Sequence, residues 1–259
     1  MNIFNKLFKK KESEFTPDNS VLLQLIQTYH QNETPENYKK VMDELYGPRA
    51  FLVVPSDGKQ STSDAWHTLK KGATVGFTSV FDVDGLLVFG VFTSETALSK
   101  WINQETAYMA IPAHAVMEMA QQYNFGRIVI DSDQETMFVL ERNRENIATT
   151  TVQEETQVQV GFPQHPIDGA NKSQLLAAFS KNSNIKEVYH FVMLRNQESI
   201  YILAFVLENY SENARLAVMD CVNDGMKGFT LDLPLESMYI EESDSWYETV
   251  QNFGVFYGR

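Results

Sequence analysis

A chain of 259 residues, 43% hydrophobic and 12% aromatic, has the material for packed cores and the length for two domains of common size, which excludes a disordered chain. Its formal net charge of −13 repels phosphate backbones and excludes nucleic acid as a partner, since no basic stripe interrupts it. A single cysteine, Cys221, excludes an intrachain disulfide and points to a reducing, cytoplasmic setting, and no window holds the ~18 apolar residues of a membrane-spanning helix.

Residues 1–15 form a basic-aromatic N-terminal arm. Ile3, Phe4, Leu7 and Phe8 share one helical face beside Lys6, Lys9, Lys10 and Lys11. The expected state is a flexible, solvated arm, with weak membrane-surface contact through residues 1–11 as the alternative. Leu22, Leu25, Ile26 and Tyr29 then repeat at helical spacing, as do Tyr38, Val41, Met42 and Leu45 behind Thr34-Pro35, an N-cap followed by proline in the first turn. The short break between them predicts an antiparallel helical pair. Gly47-Pro48 ends the second helix, and Ala50 to Val54 reads as a buried strand stopped by Pro55.

Residues 55–72 are polar and turn-rich; their Gly58-Lys59 lacks the spaced upstream glycine of a phosphate-binding loop. A strand is expected from Ala73 to Thr78, and Asp82-Val83-Asp84-Gly85 makes a hairpin turn into a nearly all-apolar, buried strand, Leu86 to Phe92. That strand runs into Thr93-Ser94 and an amphipathic helix over 95–104. Ser94 is its N-cap and Glu95 favours the positive end of the helix dipole. Ile111-Pro112 is read as opening a further helix with Val116, Met119, Ala120 and Tyr123 inward. Arg127 to Ile130 is a strand, Asp131-Ser132-Asp133 a turn, and Thr136 to Leu140 a strand that pairs back. The polar run Glu141 to Gln157 is assigned to a short helix and a linker.

In the second half, Val158 to Gly161 reads as a strand and Leu175, Leu176 and Phe179 mark a helix. Val188 to Leu194 and Ile200 to Leu207 are two long strands. Ser211 caps a helix with Ala214, Ala217, Val218, Cys221 and Val222 inward, and Phe229 to Leu233 is expected to be the last strand. The tail beyond Leu231 mixes six acids with Trp246, Tyr247, Phe253, Phe256 and Tyr257, a composition expected to dock on the body.

The motifs of chemistry are sparse. His30, His67, His114, His165 and His190 show no paired metal-ligand spacing, and there is no nucleophile elbow, no dinucleotide fingerprint and no cysteine pair. Cys221 is expected to be a small core side chain, and His190, alternating within a strand beside Phe191, to have a satisfied structural role. Asp82/Asp84, Asp131/Asp133 and Glu241/Glu242 are acid pairs. Asp131-Ser132-Asp133 falls short of a calcium loop and is read as a solvated turn. No catalytic, cofactor-binding or metal-ligating residue is assigned, and an enzyme built on Asp131, Asp133 or His190 is the least favoured reading.

The order strand, Phe92-Thr93-Ser94, helix ending in Trp101, Ile111-Pro112, helix, Arg127-Ile128-Val129-Ile130-Asp131, strand resembles the N-terminal domain of the SseB family, named for enhanced serine sensitivity. Val160-Gly161-Phe162-Pro163-Gln164-His165-Pro166, Leu175 to Phe179 and the later Ser-capped helix resemble that family's C-terminal domain. The resemblance implies a bacterial, cytoplasmic protein of two α/β domains and supplies no catalytic residues. Together these readings predict an α+β chain of two α/β-sandwich-like domains, each a mixed or antiparallel sheet covered by helices. The expected layout is an N-terminal arm 1–15, SseB N-terminal-like domain 16–140, linker 141–156 and SseB C-terminal-like domain 157–259. The expected function is a non-catalytic interaction or regulatory module with a protein partner and no cofactor. The alternative is a sensor holding an amino acid or other small molecule between the domains.

Overall fold

The computed structural model describes residues 18–57, 76–102, 104, 106–143 and 158–259. The N-terminal arm, most of the 55–72 loop, the start of the expected 73–78 strand, His67 and the linker helix lie outside the described residues. The fold is α+β. It divides into two compact units, one made of Met1–Ser79, Gly90–Tyr123 and Val129–Val139, the other of Val80–Phe89, Asn124–Ile128 and Leu140–Arg259.

In the first unit, α1 (Ser20–Gln31) and α2 (Pro35–Leu45) form as the spacing predicts, and the Thr34 side chain accepts from the Asn37 amide. They bury Leu22, Ile26, Val41 and Leu45, and Tyr29 and Tyr38, on either side of the break, both pack on Phe138. Strand β1 (Phe51–Pro55) includes the proline expected to stop it, and pairs antiparallel with β4 (Tyr108–Pro112) from Phe51↔Pro112 to Pro55↔Tyr108. Ile111-Pro112 therefore closes a strand, and α4 (Ala113–Gln122) begins one residue later. Its buried face is Ala113, Val116, Met117 and Ala120, while Tyr123 is exposed. Starting the helix at Ala113 fixes which residues fall under the stripe and turns Tyr123 out.

The hairpin of β2 (Val80–Val83) and β3 (Leu86–Val91) turns on Asp84 and Gly85, both at positive φ (54° and 86°), the backbone demanded by a two-residue type I′ turn. Helix α3 (Glu95–Trp101) is shorter than the 95–104 expected, and Ser94 Oγ accepts from the Ala97 amide as its cap. Strands β5 (Arg127–Ile130) and β6 (Phe138–Glu141) complete a sheet of order β2-β3-β5-β6. The amides of Gly126 and Asp131 donate to Leu87 O and Val91 O, so β3 and β5 run parallel.

The second unit is built on a five-stranded sheet. The long antiparallel pair β8 (Ile185–Arg195) and β9 (Glu198–Leu207) is flanked by β10 (Leu235–Tyr239), parallel to β9, while β7 (Val158–Gly161) and β11 (Val255–Gly258) both pair with β8. Helices α5 (Gly169–Phe179) and α6 (Glu212–Gly225) bury Leu175, Phe179, Ala214 and Val218 against Val188, Leu203 and Phe205. The opposite face of the sheet carries Tyr189, Phe191, Ile202 and Val206, and α7 (Ser245–Gln251) brings Val250, Trp246 and Tyr247 onto it. The acidic aromatic tail is docked.

The strand expected over Phe229 to Leu233 does not form. Pro234 has no N–H to give a ladder; its carbonyl accepts from Tyr201 N at 2.8 Å and parallel pairing starts only at Leu235. Phe229 and Leu231 pack sideways onto the helical face of the core instead.

Within this unit the β2–β3 turn meets the helices: Asp84 Oδ2 accepts from Ser211 Oγ at 2.7 Å, and Gly85 lies against the buried Asn182. A β-carbon at position 85 would overlap the Asn182 amide on a backbone that disfavours L side chains. Gly85→Ala is expected to cost roughly 2 kcal/mol, read as a lower urea midpoint; an unchanged midpoint would show that the turn is not held against Asn182.

Candidate functional site

The polar centre of the first unit is Asp131, which is fully buried rather than solvated as its turn sequence suggests. Its Oδ1 accepts from the Thr93 amide at 2.7 Å, and its Oδ2 accepts from Thr93 Oγ1 at 2.6 Å and Thr136 Oγ1 at 2.8 Å. Thr93 is held from the other side as well, because Asn19 Nδ2 donates to its carbonyl at 2.7 Å and to Phe51 O at 2.6 Å, and Asn19 Oδ1 accepts from Phe51 N. A carboxylate taken out of water survives only with such donors around it. The acid of Asp131 is thus committed to joining the end of β5 to the end of β3. Both of its oxygens are engaged by donors within the protein.

That network sets the loop after β5. Asp131 and Asp133 both adopt left-handed backbone (φ 51° and 61°), the Gln134 amide donates to Asp131 O, and Gln134 Nε2 reaches Ala97 O in α3 at 3.0 Å. Between this loop and the end of α3 opens a cavity of about 610 Å³ lined by Lys100, Trp101 and residues 132–136. Trp101 packs against Phe92 at 5.3 Å and is half-buried, whereas Lys100, Asp133 and Glu135 are exposed. The site lies beyond the carboxyl end of β5, whose neighbour β3 runs parallel to it within a mixed sheet. It is open and polar, and its charged groups point to solvent.

Residues 22–145 match the SseB protein N-terminal domain. The chain contains an SseB N-terminal domain over these residues. No curated protein and no solved structure matches the chain significantly. The SseB domain so bounded contains the Asp131–Thr93–Thr136 network and the cavity beside it.

The other candidate residues do not gather at that site. In the SseB domain, Asp82 Oδ1 accepts from the Gly85 amide at 2.6 Å and serves the hairpin turn, and His114 lies on α4. Outside it, Glu242 pairs with Lys186, and Glu241 offers its amide to Asp244 Oδ2. His165 Nδ1 lies 3.1 Å from Asp232 Oδ2, while Asp232 Oδ1 and His165 O both contact Tyr201 Oη at 2.7 Å, so this group fastens the 162–168 loop to the sheet. Among the described residues no group of histidine, cysteine and acidic side chains could hold a metal ion.

His190 belongs to the second unit and Asp131 to the first. The imidazole is 7% exposed, lies between the rings of Tyr201 (5.3 Å) and Phe256 (5.5 Å), and leaves Nε2 without a hydrogen-bond partner. The expected satisfied histidine is therefore buried but not satisfied. Burial, and then the Lys172 ammonium, push its pKa down to about 4, so it is neutral near pH 7. Cys221 sits on α6 with its thiol pushed up to about 12 by burial, which keeps it in the thiol form near pH 7.

Arg142, at the end of the SseB domain, donates from Nη2 to Asp224 Oδ1 at 2.6 Å and from Nη1 to Asp224 Oδ2 at 3.2 Å, and Lys227 adds a second cation at 2.7 Å. Burial alone would raise the Asp224 carboxyl, but these hydrogen bonds outweigh it and hold the pKa below the usual value. No local pattern in the sequence signals this bidentate pair, since its members are 82 residues apart.

Proposed function

We propose that the chain is a non-catalytic interaction module of the cytoplasm, and that the SseB domain receives a protein partner at the cavity between α3 and the 132–136 loop. The observation that carries this reading is the division of labour around Asp131. The one deeply buried acid of the domain's described residues is engaged on both oxygens by Thr93 and Thr136, while the half-buried Trp101 and exposed charges line the cavity over a loop tied from beneath. Such a surface favours association, because the loop loses little freedom on binding and Trp is a frequent anchor of interfaces. An open cavity that leaves its charged groups in water encloses a metabolite poorly, which ranks the small-molecule sensor second. The lone, inert Cys221 and the absence, among the described residues, of a helix long and apolar enough to cross a membrane support the proposed compartment.

The layout is part of the same proposal: a second SseB-type domain over residues 157–259, with 141–156 as linker. The test uses tagged full-length chain in cell extract at low salt. Asp133→Lys, an exposed substitution, is expected to cost only about 1 kcal/mol of stability for its left-handed backbone and to lower recovery of the partner about tenfold, as reversal of an interface charge does. A partner recovered equally by both forms would contradict this choice of surface.

A further inference from the structure

We infer that the cavity beside Trp101 accepts an arginine side chain of the partner. The inference rests on the interaction reading above and names the chemistry that the site would recognise. One wall is the indole of Trp101, whose packing on Phe92 fixes its plane. The loop supplies the carboxylates of Asp133 and Glu135, neither of which forms a salt bridge with a described residue, and Lys100 is the one cation among the described residues of the lining. The described residues of the lining therefore carry two negative charges against one positive, within a chain whose net charge is −13. That balance attracts a cation and disfavours a phosphate or carboxylate.

Two features of the site select arginine among cations. A guanidinium is flat, weakly hydrated and stacks on an aromatic face, and its edge carries parallel N–H donors that match a carboxylate. An ammonium is compact and strongly hydrated, and gains less from a planar wall in an open cleft. The loop is also set before binding: Asp131 is fastened by three hydrogen bonds, Gln134 is tied to α3, and Asp133 is held in left-handed backbone. Its carboxylates need little reordering when the guanidinium arrives.

The test is a titration of the ¹⁵N-labelled full chain with the blocked tripeptide Gly-Arg-Gly, following the indole N–H signals of Trp66, Trp101 and Trp246. Trp101→Phe identifies the Trp101 signal. That signal is expected to move and saturate, with Gly-Lys-Gly binding about tenfold more weakly. The neutral isostere Gly-citrulline-Gly is expected to leave the signal in place. The double substitution Asp133→Asn, Glu135→Gln is expected to weaken the arginine peptide about tenfold, and raised salt is expected to weaken it further. Equal shifts with arginine and citrulline, or undiminished binding by the double variant, would overturn the inference. So would a Trp101 signal that never moves. If the arginine peptide fails while Asp133→Lys still loses the partner from extract, the occupant is wrong and the interaction surface stands; if both fail, the surface itself is wrong.

Discussion

Asp131→Ala is expected to lower the unfolding free energy of the SseB domain by about 3–5 kcal/mol, the range seen when one member of a buried, charge-assisted network is removed. The substitution leaves the Thr93 amide and two threonine hydroxyls without their acceptor inside the protein, and removes the connection between the ends of β3 and β5. Asn is the gentler replacement, since it tolerates the left-handed backbone at φ 51° and keeps one acceptor oxygen. It is expected to cost less than Ala. Thr136→Val should cost about 1.5–3 kcal/mol, one hydrogen bond to a charged group. Asp133→Asn, two residues along, exposed and equally tolerant of the left-handed backbone at φ 61°, should stay within about 0.5 kcal/mol of the parent protein. Urea unfolding of the four variants checks the ranking. An Asp131→Ala protein as stable as the parent would show that the carboxylate is not a structural tie and would reopen it as a chemical group.

The second large effect is a loss of stability in mild acid that depends on His190. Its folded pKa is about 4 against 6.5 as the ordinary value. Below 6.5 the unfolded chain binds a proton that the folded chain refuses, so stability falls as pH drops through that window. The loss grows to roughly 3 kcal/mol at about pH 4. Lys172 and the Tyr201 hydroxyl are the other titratable groups near the ring, and burial pushes the Tyr201 hydroxyl up to about 12, far above this range. His190→Phe keeps an aromatic ring between Tyr201 and Phe256 without the proton or the unpartnered nitrogen. It is expected to gain about 1 kcal/mol near pH 7 and to lose the slope between pH 6.5 and 4. Asp224 acts in a lower window: its depressed pKa lends stability that disappears only as pH falls through its folded value, and it does so in both proteins. The difference between the two curves therefore isolates His190. Parallel curves would mean that the imidazole is protonated in the folded state.

What the sequence discloses and what it hides follow the range of the interactions. The Ser94, Thr34 and Ser211 caps each bond an amide three residues away, and all three are legible from local spacing. The family resemblance in the first half rests on the same short-range units and agrees with the match over residues 22–145. Tyr108–Pro112 does not declare itself as a strand because its pairing with β1 lies over fifty residues upstream, and the local Ile111-Pro112 signal favours a helix start. Asp131 misleads for the same reason. Asp-Ser-Asp is a turn composition, and the features that convert it to a buried tie are Thr93 and Asn19, contributed by other elements. Its one available signal is the polar pair Thr93-Ser94 directly after an apolar strand, where Ser94 alone would have sufficed as a cap. Pro234 is a visible stop that displaces the last predicted strand by a few residues.

Central to the proposed function is that the SseB domain places its buried acid in the scaffold and its exposed charges at the partner. Site-specific photocross-linking in living cells tests this most directly, with the cross-linker at Ser132 on the cavity rim and, for comparison, at Tyr46, an exposed residue at the end of α2. A discrete cross-linked protein from position 132, lost on adding Asp133→Lys and absent from position 46, is the predicted result. Equal adducts from both positions, or none from position 132, would contradict it.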